Sequence, residues 1–209
     1  MFSLFSHDSA FVQMLSRICD LIILNVLYLL TCLPLFTIGA ANAALYAVCF
    51  PIIRNREGHV FKNYFRAFLS NFRQATFAWL LLVVIAAPAI LAMWNFFGMD
   101  GAVRYLALVY LTIVLLVVFV GSYCFPLISQ FENTTKATLK NALILSLGNL
   151  PRTIFVAALN LLPWILLLTV PYLFIEISFL WIALYGSAAA CMNAGILWKV
   201  FKPFYPEET

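Results

Sequence analysis

Residues 103–128 decide the fold class of this chain. They read VRYLALVYLTIVLLVVFVGSYCFPLI, with Arg104 as the single charged residue. About 20 consecutive apolar residues are enough to cross the hydrocarbon core of a bilayer as an α-helix. The stretch therefore predicts a transmembrane helix with some length to spare.

The composition of the whole chain points the same way. Of its 209 residues, 65% are apolar and 10% are charged, whereas soluble domains average near half apolar and about a quarter charged. A soluble domain of this size has too much surface for its volume to hide so many apolar side chains. We therefore predict that lipid surrounds much of the chain.

Three further stretches are long and apolar enough to span a bilayer, namely residues 75–97, 153–170 and 172–198. Residues 18–53 are also apolar, but Pro34 and Gly39 interrupt them. Two helices of about 16 residues reach only about 24 Å, so this hairpin either spans a locally thinned bilayer or re-enters the side it left. The prediction is one all-α membrane domain over residues 1–209, a bundle of about six transmembrane helices arranged as three hairpins.

Lysine and arginine mark one side of these spans. With the N-terminus in the cytoplasm, eleven of the twelve basic residues fall inside and Arg104 alone falls outside. Basic residues accumulate in short cytoplasmic loops because they set the orientation of insertion. We predict a multi-pass protein of the cell membrane with both termini cytoplasmic. The inside set is Arg17, Arg54, Arg56, Lys62, Arg66, Arg73, Lys136, Lys140, Arg152, Lys199 and Lys202.

The sequence contains an internal repeat. CFPII at 49–53 matches CFPLI at 124–128, and Glu57 matches Glu132 in the same register. After a three-residue insertion, Asn71 matches Asn149. Because two crossings separate the copies, both units have the same orientation, which makes the repeat parallel. The predicted units cover residues 46–97 and 121–171, each with a proline-bearing helix, a cytoplasmic interfacial helix and a second span.

Two amphipathic segments lie on the predicted cytoplasmic side. In residues 57–73 the phenylalanines fall within an arc of roughly 100° at helical period, with bases along one edge, and residues 133–150 repeat the pattern more weakly. Such helices suit the anionic headgroup layer of the inner leaflet. Two interpretations stay open, since the helices either rest on lipid or form a docking surface for a cytoplasmic partner. The candidate docking residues are Phe61, Lys62, Phe65, Arg66, Phe68, Phe72, Arg73, Lys136 and Lys140.

Polar side chains inside the predicted spans form a second candidate. Amides in spans commonly join helices through hydrogen bonds worth about 0.6 kcal/mol each, and a polar path for a solute is the alternative. An aspartate in a membrane is costly unless it is paired or hydrated, so Asp20 and its neighbour Arg17 form a topological anchor, an ion or proton site, or a subunit contact. The five cysteines are interpreted as buried free thiols. The candidate intramembrane polar site comprises Arg17, Asp20, Asn25, Asn42 and Asn193.

The sequence carries no motif for catalysis. It lacks a Walker A loop, a His-Glu-x-x-His helix and a Gly-x-Ser-x-Gly turn, and its two histidines, His7 and His59, lie outside the spans. A basic patch this small, without aromatic residues on its polar face, does not indicate nucleic-acid binding. We predict no enzymatic activity, no cofactor, no metal and no nucleic-acid partner.

Several motifs resemble those of the YesL-like membrane proteins. The resemblance covers nearly the whole chain in the right order, and it implies a small integral membrane protein of Gram-positive bacteria. It also implies a context, since genes of that family often lie beside carbohydrate-uptake ABC importers, but it transfers no catalytic residue. The motifs are Arg17-x-x-Asp20-Leu21-x-x-x-Asn25, Pro34-x-x-Thr37-Ile38-Gly39-Ala40, Ala44-Leu45-Tyr46, Phe65-x-x-Phe68-x-x-Asn71-Phe72-x-x-Ala75-Thr76 and Leu145-Ser146-Leu147-Gly148-Asn149-Leu150-Pro151.

Two functions agree with these features. The first is a non-enzymatic accessory or regulatory partner of an ABC sugar importer, bound through the cytoplasmic helices and anionic lipid. The second is a transporter or channel for a small solute, with the polar residues along its path. The sequence leaves the solute, the partner subunit and the oligomeric state open.

Overall fold

The computed structural model describes residues 10–54, 56 and 58–205, with side chains from residue 15 onward. Glu57 of the proposed repeat and His7 lie outside the described residues. Six helical stretches are long and apolar enough to cross a membrane, which confirms the predicted all-α bundle of membrane helices. The helices are α1 Ala10–Cys32, α2 Ile38–Ile53, α3 Val60–Phe97, α4 Leu106–Gln130, α5 Thr135–Gly148, α6 Leu150–Thr169, α7 Pro171–Glu176, α8 Ser178–Leu180 and α9 Gly186–Phe201.

Helix α3 is longer than the sequence suggested. It has 38 residues, which corresponds to about 57 Å, and it joins the amphipathic segment at 60–73 to the following span without a break. No proline or glycine occurs between Val60 and Ala87, so the backbone hydrogen bonds continue from one part into the next. The first interfacial helix is therefore the initial half of a spanning helix, and it is not a separate element.

The second unit does contain a separate cytoplasmic helix. Helix α5 ends at Gly148, and α6 begins at Leu150 with Pro151 in its first turn. Pro151 occupies the place that Arg73 has in the first unit, two residues after the matched asparagine. A proline there lacks the N–H that a continuous helix needs, and its ring clashes with the preceding turn. The second unit also has Gly148 where the first has Ser70, and the two differences together favour a break between α5 and α6.

The turn between α1 and α2 lies beside the middle of α3. The indole Nε1 of Trp79 donates a hydrogen bond to the carbonyl oxygen of Leu35 at 2.9 Å. Gly39 at the start of α2 faces Ala75 and Trp79 so closely that no side chain fits between the helices. Along α3, Trp79 is 18 residues from Phe97, or about 27 Å. The hairpin of α1 and α2 thus stops well short of the turn that follows α3.

Helix α4 returns along the second half of α3. The rings of Phe96 and Tyr110 stack at 5.6 Å near one end of the pair, and Trp79 and Phe125 lie 6.4 Å apart further along. Away from the contact between α3 and α4, large side chains face outward, with Trp94 78% and Leu168 82% exposed. Hydrocarbon would cover these side chains in a membrane, since water does not favour so many exposed apolar groups.

The buried core lies at the other end of the bundle, where α2, α4 and α9 meet. Phe50, Tyr123 and Phe201 are fully or almost fully buried and their rings pack against one another at 5.9–6.4 Å. The residues of α2 are far more buried than those of any other spanning stretch. Helix α2 is therefore the central helix of the protein.

Arg54 lies just after α2 and contacts the end of α4, the end of α9 and the segment that follows α9. Its guanidinium lies 4.1 Å from the ring centre of Trp198 and 5.2 Å from that of Tyr205, and its Nη2 donates to Gln130 Oε1 at 3.0 Å. Tyr205 donates to the same oxygen at 2.7 Å. Burial raises the pKa of the Tyr205 phenol, although Arg54 acts in the opposite direction, so Tyr205 remains a neutral donor. These contacts hold the end of α9 against α2 and α4.

Candidate functional site

Small polar side chains from five helices meet inside the bundle. We call this set the polar seam, and most of its members contact the next one directly. It crosses from α1 to α9 and α2, and then to α6 and α4. Its members are Asn25, Tyr46, Cys49, Ser122, Asn160, Ser187, Cys191 and Asn193.

At one end of the polar seam, Asn25 of α1 binds a distorted part of the last span. Residues Trp181–Tyr185 form a π-helix, in which the wider turn disturbs the α-helical hydrogen bonds. Asn25 Nδ2 donates to the carbonyl of Ile182 at 2.7 Å, and Asn25 Oδ1 accepts from the backbone N–H of Ser187 at 2.9 Å. Asn25 therefore bonds to backbone groups on both sides of the turn where the π-helix meets α9.

A glycine makes this approach of α1 to α9 feasible. A Cβ at position 186 would lie 2.6 Å from Asn25 Oδ1 and 3.2 Å from the ring of Tyr28. Ser187 adds a second link, because its hydroxyl donates to the carbonyl of Leu21 at 2.7 Å. The sequence motif that begins at Arg17 and ends at Asn25 thus contains the residues that bind α1 to the last span.

Two cysteines occupy the middle of the polar seam. Cys49 of α2 and Cys191 of α9 are 142 residues apart in sequence, yet their sulfur atoms are 3.0 Å apart. Cys49 is fully buried, and its thiol also lies 3.8 Å from the carbonyl oxygen of Ser187. Both are free thiols. The fold therefore brings together two cysteines whose spacing in the sequence gave no sign of contact.

At the other end of the polar seam, Asn193 joins three helices. Its Nδ2 donates to Asn160 Oδ1 at 2.9 Å and lies 3.4 Å from the hydroxyl of Tyr46. Asn160 in turn donates to the hydroxyl of Ser122 at 3.3 Å. Asn193 is fully buried, and its Oδ1 has no hydrogen-bond partner. A buried acceptor without a partner costs about 1–3 kcal/mol, so Asn193 Oδ1 is an unsatisfied acceptor inside the bundle.

The five residues of the predicted intramembrane polar site do not form one site. Asn25 and Asn193 belong to opposite ends of the polar seam. Asn42 instead donates to the carbonyl of Ile38 in its own helix at 2.9 Å. Arg17 is exposed on α1, and Asp20 is half-buried just before Leu21. The predicted site therefore contains two members of the polar seam, Asn25 and Asn193, and lacks the other six.

The predicted docking residues separate into two groups. All five bases are exposed, and so is Phe61. The other three aromatics, Phe65, Phe68 and Phe72, are half-buried and pack against the core. Buried Tyr64 lies among them, with its ring 5.8 Å from that of Phe65 and 6.4 Å from that of Phe68. The accessible surface is therefore basic, and most of its aromatic side chains stabilise α3 against the bundle. The five bases are Lys62, Arg66, Arg73, Lys136 and Lys140.

The two helices that carry these bases are linked directly. Gln74 Nε2 of α3 donates to the carbonyl of Asn133 at 2.7 Å and to the hydroxyl of Thr138 at 3.3 Å. Beside this link lies an open groove of about 600 Å³, and a smaller cavity of about 250 Å³ lies between α4, α5 and Phe204. Neither is lined by a residue of the polar seam. The groove is lined by Arg73, Gln74, Phe77, Asn133, Thr134 and Thr135.

The side chains that could bind a metal ion lie apart from one another in the described part of the chain. Within residues 10–54, 56 and 58–205, no three His, Cys, Asp or Glu side chains are grouped so that they could hold a metal ion. The pair Cys49 and Cys191 is the densest arrangement of reactive side chains in the polar seam.

Comparison with known proteins gives one match. A protein-family model described as "Protein of unknown function, DUF624" matches residues 21–97, which include about half of α1 and all of α2 and α3. No curated protein and no solved structure matches the chain. The matched part contains Asn25, Tyr46 and Cys49 of the polar seam and three of the five exposed bases. Residues 21–97 are thus similar to the DUF624 family model.

Proposed function

We propose that this protein is a non-enzymatic accessory subunit in the membrane, which binds a cytoplasmic-side partner through an exposed basic surface. The basic surface is Lys62, Arg66, Arg73, Lys136 and Lys140. The observation that carries the proposal is that all five side chains are exposed, on two helices that Gln74 joins. Exposed bases held on a rigid support attract anionic lipid and acidic protein surfaces.

The family match supports a narrower version of this proposal. YesL-like proteins belong to DUF624, and the matched residues include three of the motifs that resemble them. The resemblance implies a context of carbohydrate uptake, since genes of that family often lie beside ABC importers. We propose this class of partner on the resemblance alone, and the basic surface supplies the contact.

The geometry of α3 also supports an orientation. Arg73 is exposed, and a charged side chain is costly inside hydrocarbon, so the hydrocarbon begins on the Trp79 side of Arg73. The α1–α2 turn at Trp79 is only six residues, or about 9 Å, further along α3, whereas Phe97 is about 27 Å beyond Trp79. In this orientation the α1–α2 hairpin re-enters from the cytoplasmic side, and both termini are cytoplasmic.

Co-purification tests the accessory role. The protein is co-expressed with the permease and ATPase subunits of a carbohydrate ABC importer, extracted in mild detergent and captured by an affinity tag. Lys62→Glu reverses a charge on the basic surface, and Arg104→Glu reverses an exposed charge near the opposite end of α3. We expect Lys62→Glu to reduce recovery of the importer several-fold and Arg104→Glu to leave it unchanged.

Two results would contradict the accessory role. In the first, the importer does not co-purify with the unaltered protein. In the second, both charge reversals reduce recovery of the importer equally. Lys62 is exposed and is not part of the core. We therefore expect the Lys62→Glu variant to fold normally.

A second function, transport of a small solute, rests on the unpaired Oδ1 of Asn193. A polyol or sugar hydroxyl would supply the donor that this buried oxygen lacks. Flux of small polyols and monosaccharides into liposomes containing the protein tests it. Transport predicts flux that Asn193→Leu abolishes and Asn42→Leu preserves, because Asn42 bonds only to its own helix. Absence of flux with the unaltered protein would leave the accessory role as the function.

A further inference from the structure

Cys49 and Cys191 are two neighbouring thiols that neither proposed function uses. Their sulfur atoms are 3.0 Å apart, and a disulfide bond is about 2.05 Å long. The two thiols lie on different helices, α2 and α9, in the most buried part of the bundle. A shift of about 1 Å between the helices or a small rotation of the side chains would therefore bring the sulfurs to bonding distance.

A metal ion fits this pair less well than a disulfide. Two metal–sulfur bonds of about 2.3 Å at a tetrahedral angle hold the sulfurs about 3.8 Å apart, which exceeds the observed separation. No third His, Cys, Asp or Glu among the described residues completes a site. The observed 3.0 Å lies between the two distances, so it is the lack of a third ligand among the described residues that favours a direct bond between the thiols.

We propose that Cys49 and Cys191 are a redox-active pair that reversibly forms a disulfide linking α2 to α9. In the oxidation, two S–H bonds break and one S–S bond forms. The two protons and two electrons released pass to a lipid-soluble quinone, which becomes the hydroquinone. In the return step, a lipid-soluble hydroquinone of lower potential passes two electrons and two protons to the disulfide, which restores both thiols and leaves a quinone.

The surroundings of the pair select the class of oxidant. Cys49 is fully buried and Cys191 is half-buried, so the pair is reached from the side of Cys191. Soluble thiols react as thiolates, and a charged group enters an apolar site at high cost. An uncharged quinone in the membrane meets no such barrier. The buried pair therefore responds to the redox state of the membrane more readily than to that of the soluble thiol pool.

The disulfide would act on the polar seam directly. Cys49 lies one turn after Tyr46 on α2, and Cys191 lies two residues before Asn193 on α9. Moving the sulfurs together shifts α9 relative to α2 and changes the contact of Asn193 with Tyr46, now at 3.4 Å. Oxidation of the pair thus couples to the hydrogen bonds of Asn193, which join α9 to α2 and α6.

Counting free thiols in the intact protein tests the proposal. Nanodiscs containing the full chain are treated with a short-chain benzoquinone or with buffer, quenched in acid, denatured and labelled with a maleimide polymer. The chain has five cysteines. We expect five labels after reduction and three after quinone treatment, with Cys49 and Cys191 recovered as one linked peptide by mass spectrometry.

Matched variants and a gel complete the test. Cys49→Ser should give four labels with or without quinone. Cys124→Ser, which removes a buried thiol outside the pair, should go from four labels to two. The proposal is overturned if the unaltered protein keeps five labels after quinone treatment, if the linked peptide joins other cysteines, or if a non-reducing gel shows that the lost thiols link two chains. The number of labelled thiols in the unaltered protein decides the test, so misfolding of a variant does not change the conclusion.

Discussion

The contact between α2 and α3 at Gly39 supports the most specific prediction. A Cβ at position 39 would lie 2.6 Å from the Cβ of Trp79, and closer still to the carbonyl oxygen of Ala75. Real Cβ atoms almost never approach a neighbour within 3.0 Å. Because the obstacle is helix backbone and the root of a side chain, no flexible group can turn away. We expect Gly39→Ala to force α2 and α3 apart by several tenths of an ångström.

The change in the free energy of unfolding caused by Gly39→Ala follows from two opposing effects. Alanine in place of glycine stabilises a helix by about 0.5–1 kcal/mol, whereas an overpacked core costs about 1–3 kcal/mol. The expected net loss for Gly39→Ala is about 1–2 kcal/mol. Gly195 of α9 provides a matched control, since a Cβ there has no neighbour within 4 Å. Gly195→Ala should therefore stabilise the protein by about 0.5–1 kcal/mol.

Thermal unfolding of both variants in the same detergent, at one scan rate, checks this difference. For a chain of this length 1 kcal/mol shifts Tm by about 2–4 °C, so Gly39→Ala should lower Tm by about 2–8 °C and Gly195→Ala should raise it slightly. Tryptophan emission serves as the readout because Trp79 is part of the contact. If the two variants shift Tm in the same direction by the same amount, the close packing of α2 on α3 is wrong.

Three further predictions concern other contacts. Asn25→Leu should lower the free energy of unfolding by about 2–4 kcal/mol, since a buried carbonyl and a buried N–H lose their partner, while Asn42→Leu should change it by less than about 1 kcal/mol. Chemical denaturation of both variants measures the contrast, and equal losses would contradict the role given to Asn25. Arg54→Ala should release the C-terminal segment from α2 and α4, and limited proteolysis should then cleave that segment faster, whereas an unchanged rate would show that the cation–π contacts do not hold it. In a cysteine-free background, a membrane-impermeant maleimide added outside cells should label Asp100→Cys and not Leu35→Cys, because the α1–α2 turn lies about 27 Å along α3 from the outer turn. Equal labelling would show that the α1–α2 hairpin reaches the outer surface.

The sequence determined the number and kind of long helices because each depends on local chemistry. An apolar stretch such as that at 103–128 must satisfy its own backbone hydrogen bonds in lipid, and only a helix does this within one segment. Gly148 and Pro151 likewise favour the break between α5 and α6, because glycine is common at helix ends and proline in the first turn of a helix. The exposure of Lys62, Arg66 and the other bases also follows from their charge. The functions assigned to them remain proposals.

Only the tertiary structure decided which side chains meet. The amphipathic pattern of residues 57–73 suits an interfacial helix and the first half of a longer one equally, and packing against α2 buries most of its phenylalanines. Asn25 and Asn42 look alike in sequence, yet the rotation of each helix directs one toward the π-helical turn and the other to its own backbone. Cys49 and Cys191 meet because α9 crosses α2 at one particular place. The position and rotation of a helix depend on the shapes of all its neighbours together, and no local stretch of sequence contains that information.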